Sequence, residues 1–285
     1  MVTTDDVFGK INYEYYQLTS AEKKIADYMM LYQQDCQYLS ISQLADKAGV
    51  AEATVSRYCR RLGYQSYSAF KLAMAGSGVG HAPSNPLGGE VLPEDSVMVM
   101  CEKLCTNNVE AVTQTFSLIK PELITAAADI LTRAGKVLCM GQGGSMILAR
   151  EAAHLFSTAL SNFFAVEDSH IQVIRAASLR ENDAVLYFSY SGSTKDMADT
   201  LEIVRSRGAS SILITRFPNS QGARLSDIVL ECGSHENPLQ LGSVAARMAQ
   251  LYLVDVLFSE VCRRDMDGCR ARRKQVADVL TSKHM

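Results

Sequence analysis

The 285-residue chain has no CxxC pair among its eight cysteines, no apolar run of membrane-spanning length, no P-loop lysine and no strong excess of either charge. Each absence removes a class of function. Cys36, Cys59, Cys101, Cys105, Cys139, Cys232, Cys262 and Cys269 are scattered without zinc-ligand spacing. Several lie in apolar runs, as Cys139 does, so they read as small core residues in a reducing cytoplasm, with no metal and no cofactor expected. The acidic Met1–Lys10 lacks the apolar core of a signal peptide, and no membrane partner is expected. A formal net charge of −3 argues against wholesale coating of a polyanion but leaves room for a local basic face. Proline is scarce, and three of the six (Pro83, Pro86, Pro93) crowd into one stretch with Gly76, Gly78, Gly80, Gly88 and Gly89. That composition marks a flexible linker over residues 76–94, separating a domain at 1–75 from one at 95–285.

The second domain is organised around Leu186–Thr194, Leu-Tyr-Phe-Ser-Tyr-Ser-Gly-Ser-Thr. An apolar run from Ala184 to Phe188 suits a buried strand. Ser189, Ser191, Ser193 and Thr194 then surround Gly192, after which Met197, Leu201 and Val204 recur at helical spacing. A strand, a hydroxyl-rich turn and a helix start can hold a phosphate. The helix terminus offers unpaired N–H groups and a partial positive charge, the hydroxyls add donors, and the glycine admits close approach. A single N-cap needs one hydroxyl, and here there are four.

A second loop, Gly141-Gln142-Gly143-Gly144-Ser145, also passes from a strand (136–141) through glycines into a helix (145–160). Met146 stands where a dinucleotide fingerprint needs its last glycine, so NAD binding is not expected. Neither loop contains lysine or arginine, which suits a phosphate monoester better than a triphosphate. Further strands are expected at 163–166, 211–215 and 228–231, and helices at 95–118, 121–134, 171–177, 194–208 and 243–261. Continuous Val, Ile and Leu strands alternating with helices indicate a parallel sheet covered on both faces, with ligands beyond the carboxyl ends of the strands.

In the first domain, Thr19-Ser20-Ala21-Glu22 opens a helix that turns Ile25, Met29 and Tyr32 to one face. Over Ile41–Leu62, Leu44 and Ala45 line one helix, Gly49 breaks it, Val50 plugs the turn, and Val55 and Leu62 point inward from a second helix. Small residue, turn glycine and β-branched core residue are spaced as in a helix-turn-helix. The outward face of the second helix carries Thr54, Ser56, Arg57, Arg60 and Arg61, joined by Lys47 and Lys71, against Glu52 alone. These side chains are suited to base edges and phosphates. Ala51 departs from the hydroxyl N-cap expected there. A further helix at 64–74 would anchor through Tyr67, Phe70 and Leu72.

With these motifs assembled (LTSAEKK at 18–24, ISQLADKAGVAEATVSRYCRRLG at 41–63, Tyr67–Lys71, Gly141–Ser145, Ser189–Thr194, His170 after Asp168, and Leu253-Val254-Asp255), the whole chain resembles the MurR/RpiR family of bacterial transcription regulators. The resemblance implies an all-α helix-turn-helix domain followed by an α/β domain, a sugar isomerase (SIS) three-layer sandwich with a parallel sheet. It implies a homodimer or homotetramer that reads an inverted repeat in double-stranded DNA and senses a sugar phosphate, as repressor of a sugar or amino-sugar catabolic operon. The carried-over phosphate positions are Ser145, Ser189, Ser191 and Thr194, with Gly141, Gly143 and Gly192 shaping the loops and Ser193 beside them. Glu151, His170 and Ser243 are sugar-contact candidates.

The runner-up is an aldose–ketose isomerase of SIS type, which needs a general base and an acid. Glu151 and His154 lie three apart on one helix, with His170 and His235 near other strand ends. His154 reads as a hydrogen-bonded core histidine. No acid–base pair emerges, and no residue is assigned a catalytic role.

Overall fold

The computed structural model describes residues 7–36, 39–78, 91–233 and 243–281. Its elements run α1 (Val7–Glu14), a 3₁₀ turn (Tyr15–Gln17), α2 (Ser20–Leu31), α3 (Gln33–Cys36), α4 (Ile41–Ala48), α5 (Glu52–Arg61), α6 (Tyr67–Gly78) and α7 (Val97–Leu118). They continue α8 (Pro121–Arg133), β1 (Val137–Gly141), α9 (Gly144–Ser157), β2 (Phe163–Ala165), α10 (Ser169–Ala177), β3 (Ala184–Phe188) and α11 (Lys195–Ser206). The last are β4 (Ser210–Thr215), α12 (Gln221–Leu225), β5 (Ile228–Glu231), α13 (Val244–Arg264) and α14 (Met266–Thr281). The chain divides into two compact units, and the division falls inside α7, between Asn107 and Asn108.

The N-terminal unit is helical. Thr19 and Glu22 form the capping box that starts α2, and Ser40 and Gln43 form another on α4. Gly49 closes α4 in the left-handed conformation, and the Val50 N–H returns 2.9 Å to the Ala45 carbonyl. Leu44, Ala45, Val55 and Leu62 are buried as their spacing predicts. Tyr58 and Cys59 join them, so α5 buries a wider stripe than Val55 and Leu62 alone. Ala51 gives α5 no side-chain cap, and Glu52 supplies the negative charge of its first turn instead.

Three apolar expectations fail for reasons of phase. Tyr32 lies beyond the last turn of α2, is half exposed and packs its ring at a tilt against Tyr28. In α6 the inward positions are Tyr67, Phe70 and Met74, which share one face at i, i+3 and i+7, while Leu72 points away and is 76% exposed. His154 is exposed, because α9 buries the Met146–Ala149–Ala153–Phe156 stripe instead. Helix α6 also continues through Gly78, into the stretch read as linker, and residues 79–90 of that stretch lie outside the described residues.

The second unit is a three-layer α/β/α sandwich. Its five strands are parallel in the order β2-β1-β3-β4-β5. Alternate strand residues face opposite layers. Val137, Cys139, Leu186, Phe188, Ile212 and Ile214 pack with α8, α9 and α13, whereas Leu138, Met140, Val185, Tyr187 and Leu213 pack with α10, α11 and α12. Every residue of β1 and β3 is buried, as expected of parallel strands covered on both faces. The expected elements appear within a few residues of their read positions. The basic tail, not read as a helix, forms α14, which Arg272 ties back to the Ala159 carbonyl and to Asp265.

Candidate functional site

The strand order fixes where a ligand belongs. From β1 the chain crosses to β2 on one side, and from β3 to β4 on the other, so the direction reverses between β1 and β3. Such a reversal opens a crevice beyond the carboxyl ends of those two strands. Both read loops leave from there at one level, because Gly141 of β1 pairs with Phe188 of β3. The structure thus brings Gly141, Gly143 and Ser145 beside Ser189, Ser191, Gly192, Ser193 and Thr194.

Neither loop caps its helix with a side chain. Gly143 precedes α9 and Thr194 precedes α11 without a cap hydrogen bond, whereas α10 and α12 on the same sheet are capped by Asp168 and Ser220. The starts of α9 and α11 therefore face the crevice without a side-chain cap; α9 has no acidic residue in its first turn, while α11 carries Asp196 there. In the second loop, the Gly192 N–H donates to the Ser189 hydroxyl at 3.2 Å and the Ser193 N–H to the Ser191 hydroxyl at 3.3 Å. Ser189 is nearly buried, while Ser191, Ser193 and Thr194 are half-buried.

Backbone geometry at both loops demands glycine. Gly143 has φ 52 and Gly192 φ 59, in the region side chains avoid. A Cβ on Gly192 would also collide with the Ser220 hydroxyl and lie 3.0 Å from the Thr215 Oγ1. Reading the sequence missed these neighbours. The Thr215 hydroxyl donates 3.1 Å to the Tyr190 carbonyl and the Gly222 N–H 2.8 Å to the Gly192 carbonyl, so the end of β4 and the start of α12 clamp the loop. Gln172, also missed, stands behind the first loop. Its only sequence signal is a polar residue four positions before Ala176, on the inward face of α10.

The sugar-contact candidates separate. Glu151 lies on the exposed side of α9 in a groove of about 530 Å³ with Ile147, Val244, Arg247, Met248 and Asp255, and Ser243 directly precedes Val244. The groove contains none of the hydroxyl-loop residues. His170 is exposed on α10, in the opposite layer. His235 lies outside the described residues. Glu151 and His154 are both exposed, and among the described residues no group of His, Cys, Asp or Glu could hold a metal ion.

On the N-terminal unit, Lys47, Arg57, Arg60 and Arg61 are exposed, and Thr54, Ser56 and Lys71 half-buried. Arg57 donates to the Thr54 hydroxyl at 3.4 Å, and the Lys47 ammonium lies 5.8 Å from the Tyr28 ring centre. Arg61 differs from its neighbours. It is bound to the Glu22 carboxylate at 3.1 Å and to the Gln17 carbonyl, so it joins α5 to α2 as well as adding to the basic face.

The comparisons with known proteins agree with this architecture. Residues 6–78 match the helix-turn-helix domain of the rpiR family, and residues 130–260 match the SIS domain. The chain belongs to the RpiR family of helix-turn-helix transcriptional regulators. An uncharacterised HTH-type transcriptional regulator of Caldanaerobacter subterraneus subsp. tengcongensis is 29% identical over 276 residues, 97% of each chain. Vibrio vulnificus NanR, solved in complex with ManNAc-6P, matches with a TM-score of 0.63 at 24% identity, over 97% of this chain and 98% of its own. A candidate sugar-phosphate isomerase of Listeria monocytogenes shares the SIS fold at a TM-score of 0.54 and 16% identity, over 60% of this chain and 92% of its own. No helix among the described residues is long and apolar enough to cross a membrane.

Proposed function

We propose that this RpiR-family regulator is controlled by a sugar phosphate held between the β1–α9 and β3–α11 loops. One observation carries the reading: two helices from opposite faces of the sheet begin without side-chain caps at the switch point, among the Ser145, Ser189, Ser191, Ser193 and Thr194 hydroxyls. Uncapped N–H groups and hydroxyl donors suit a dianionic phosphate monoester. The sugar-contact candidates lie on opposite faces of the sheet, Glu151 and Ser243 on the α9 and α13 side and His170 on α10, so the sugar extends towards one of these two groups. Lys47, Thr54, Ser56, Arg57, Arg60, Arg61 and Lys71 face DNA, and paired subunits read an inverted repeat with half-sites about one helical turn (~10 bp) or a multiple apart. The effector favours one arrangement of the paired DNA-reading units and so shifts operator occupancy, acting on a repressor of a sugar or amino-sugar catabolic operon. It does this only through a difference in its affinity for the two arrangements.

A thermal-shift panel of sugar phosphates, each beside its unphosphorylated sugar, tests this. A ligand at about 100 times its Kd adds roughly 2.7 kcal/mol. Stabilisation by a phosphosugar but not by its parent sugar supports the site, and equal stabilisation by both refutes a phosphate anchor. The SIS-type isomerase is the second reading, favoured by the shared fold of the Listeria protein. NMR of the stabilising mixture separates the two, since an isomerase would interconvert aldose and ketose and a sensor leaves its ligand unchanged.

A further inference from the structure

Helix α10 presents its side chains the unexpected way round. Ile171 and Ile174 are 44% and 61% exposed, while Gln172 between them is wholly buried. Burying an amide is costly unless its hydrogen-bonding positions are filled. Here all four are filled. The Gln172 Nε2 donates to the Val166 carbonyl at 2.8 Å and to the Gly141 carbonyl at 3.0 Å. The Oε1 accepts from the Gln142 Nε2 at 3.0 Å and from the Tyr187 hydroxyl at 3.1 Å. The amide cannot be turned over, because its oxygen would then face two carbonyls. Burial pushes the Tyr187 hydroxyl up to about 12, so it remains a donor at neutral pH.

The four partners are not scattered. Gly141 ends β1, Val166 follows β2, Tyr187 is on β3, and Gln142 belongs to the glycine loop between β1 and α9. Beyond the strand and helix at its ends and its own backbone turn bonds, the loop has little else to hold it. Its glycines bring no side chains, and Gly143 takes a backbone conformation open to many alternatives. Gln142 is its one long side chain, and that side chain is held by Gln172. A loop already in its receiving shape spares an anion the cost of ordering it.

We infer that Gln172 is the positioning residue of the effector loop Gly141–Ser145, holding it in anion-receiving shape and locking it to α10, the helix that carries His170. The inference rests on the reading of that loop as a phosphate site. Gln172 touches no ligand itself and acts through Gly141 and Gln142. A solely structural amide would stabilise the sheet ends without setting affinity, and the two roles differ in what their loss changes.

The test uses the full chain with Gln172→Met, similar in length without hydrogen-bonding groups, and Gln172→Glu, which keeps the acceptor for Tyr187 and Gln142 but, buried against two carbonyls and so held protonated, has one donor in place of two. Hydrogen exchange is read at the Ser145 and Met146 amides, which bond the Gln142 and Gly143 carbonyls at 3.0 and 3.1 Å. Calorimetry with inorganic phosphate and with ManNAc-6P gives affinity. Both amides should exchange faster in Gln172→Met while those of α11 are unchanged, and both probes should bind about tenfold more weakly to each variant. Tyr187→Phe, which removes one of the four bonds, should lose less, and with Gln172→Glu it carries the test if Gln172→Met does not fold. Wild-type affinity in Gln172→Glu would overturn the inference and leave the phosphate site standing. Failure of the unaltered chain to bind inorganic phosphate, ManNAc-6P or any phosphosugar of the panel would overturn the effector reading and this inference with it.

Discussion

The Arg61 guanidinium lies 3.1 Å from the Glu22 carboxylate, and the same carboxylate oxygen accepts the Thr19 N–H and hydroxyl, each at 2.8 Å. A residue on the basic face thus completes the cap of another helix. The consequence is a division of labour among the arginines of α5. Arg57→Ala with Arg60→Ala should abolish operator binding and leave the melting temperature within a degree or two. Arg61→Ala should weaken DNA binding and also cost about 1 kcal/mol of stability, because the pair is partly exposed. Electrophoretic mobility shift and thermal denaturation, run on both, separate the effects.

Glu22 also makes the N-terminal unit acid-sensitive. Burial works to raise its carboxyl, but the Thr19 hydrogen bonds and Arg61 outweigh that and hold it below its ordinary 4.5. A carboxyl lowered in the folded state adds stability that is fully present above its unfolded value. That stability is lost as pH falls from there through the folded value. Urea titrations should show stability declining below about pH 4.5, and Glu22→Gln should flatten that limb while lowering stability at pH 7.

The Tyr58 hydroxyl is buried without a hydrogen-bond partner among the described residues. Burial raises its ionisation well above the ordinary range, so it is carried as a neutral, unsatisfied group. Tyr58→Phe keeps the ring packed edge-on against Phe70 and removes only the oxygen. The variant should be as stable as the parent or about 1 kcal/mol more stable. A loss of more than that in a urea titration would mean the hydroxyl is satisfied in solution.

At the crevice, Ser191→Ala should leave DNA binding intact and abolish the response to the effector, read as unchanged operator affinity with and without the stabilising phosphosugar. Gly192→Ala is a harsher change. Its Cβ meets Ser220 and its φ is positive, so we expect a loss of about 2 kcal/mol or more in stability as well as loss of response. If Gly192→Ala melts like the parent, the clamp by Thr215 and Ser220 is looser than the geometry states.

What the sequence made legible follows from which signals are local. The Thr19–Glu22 capping box, the Gly49 turn and the Met197–Leu201–Val204 stripe each declare themselves within a few residues, and each is found as read. Apolar anchors near helix ends were less legible, since Tyr32 and Leu72 depend on where the helix stops and how it is phased. The two loops proposed to hold phosphate could be named individually, yet their juxtaposition depends on the β1–β3 pairing, which joins residues 47 positions apart (Gly141 and Phe188). Gln172 and Ser220 were invisible for the same reason. A buried amide and a clamping hydroxyl are chosen by neighbours distant in the chain, and the spacing of Gln172 to Ala176 is too slight a signal to set it apart from surface polar residues.

The two uncapped helices belong to different layers: α9 packs on one face of the sheet and α11 on the other. An anion gripped by both would act as a rivet through the sandwich, joining two plates of helices across the edge of the sheet that separates them. Its mechanical signature would be resistance to shear between those plates, so even a ligand that moves no atom far could report its presence by stiffening the fold.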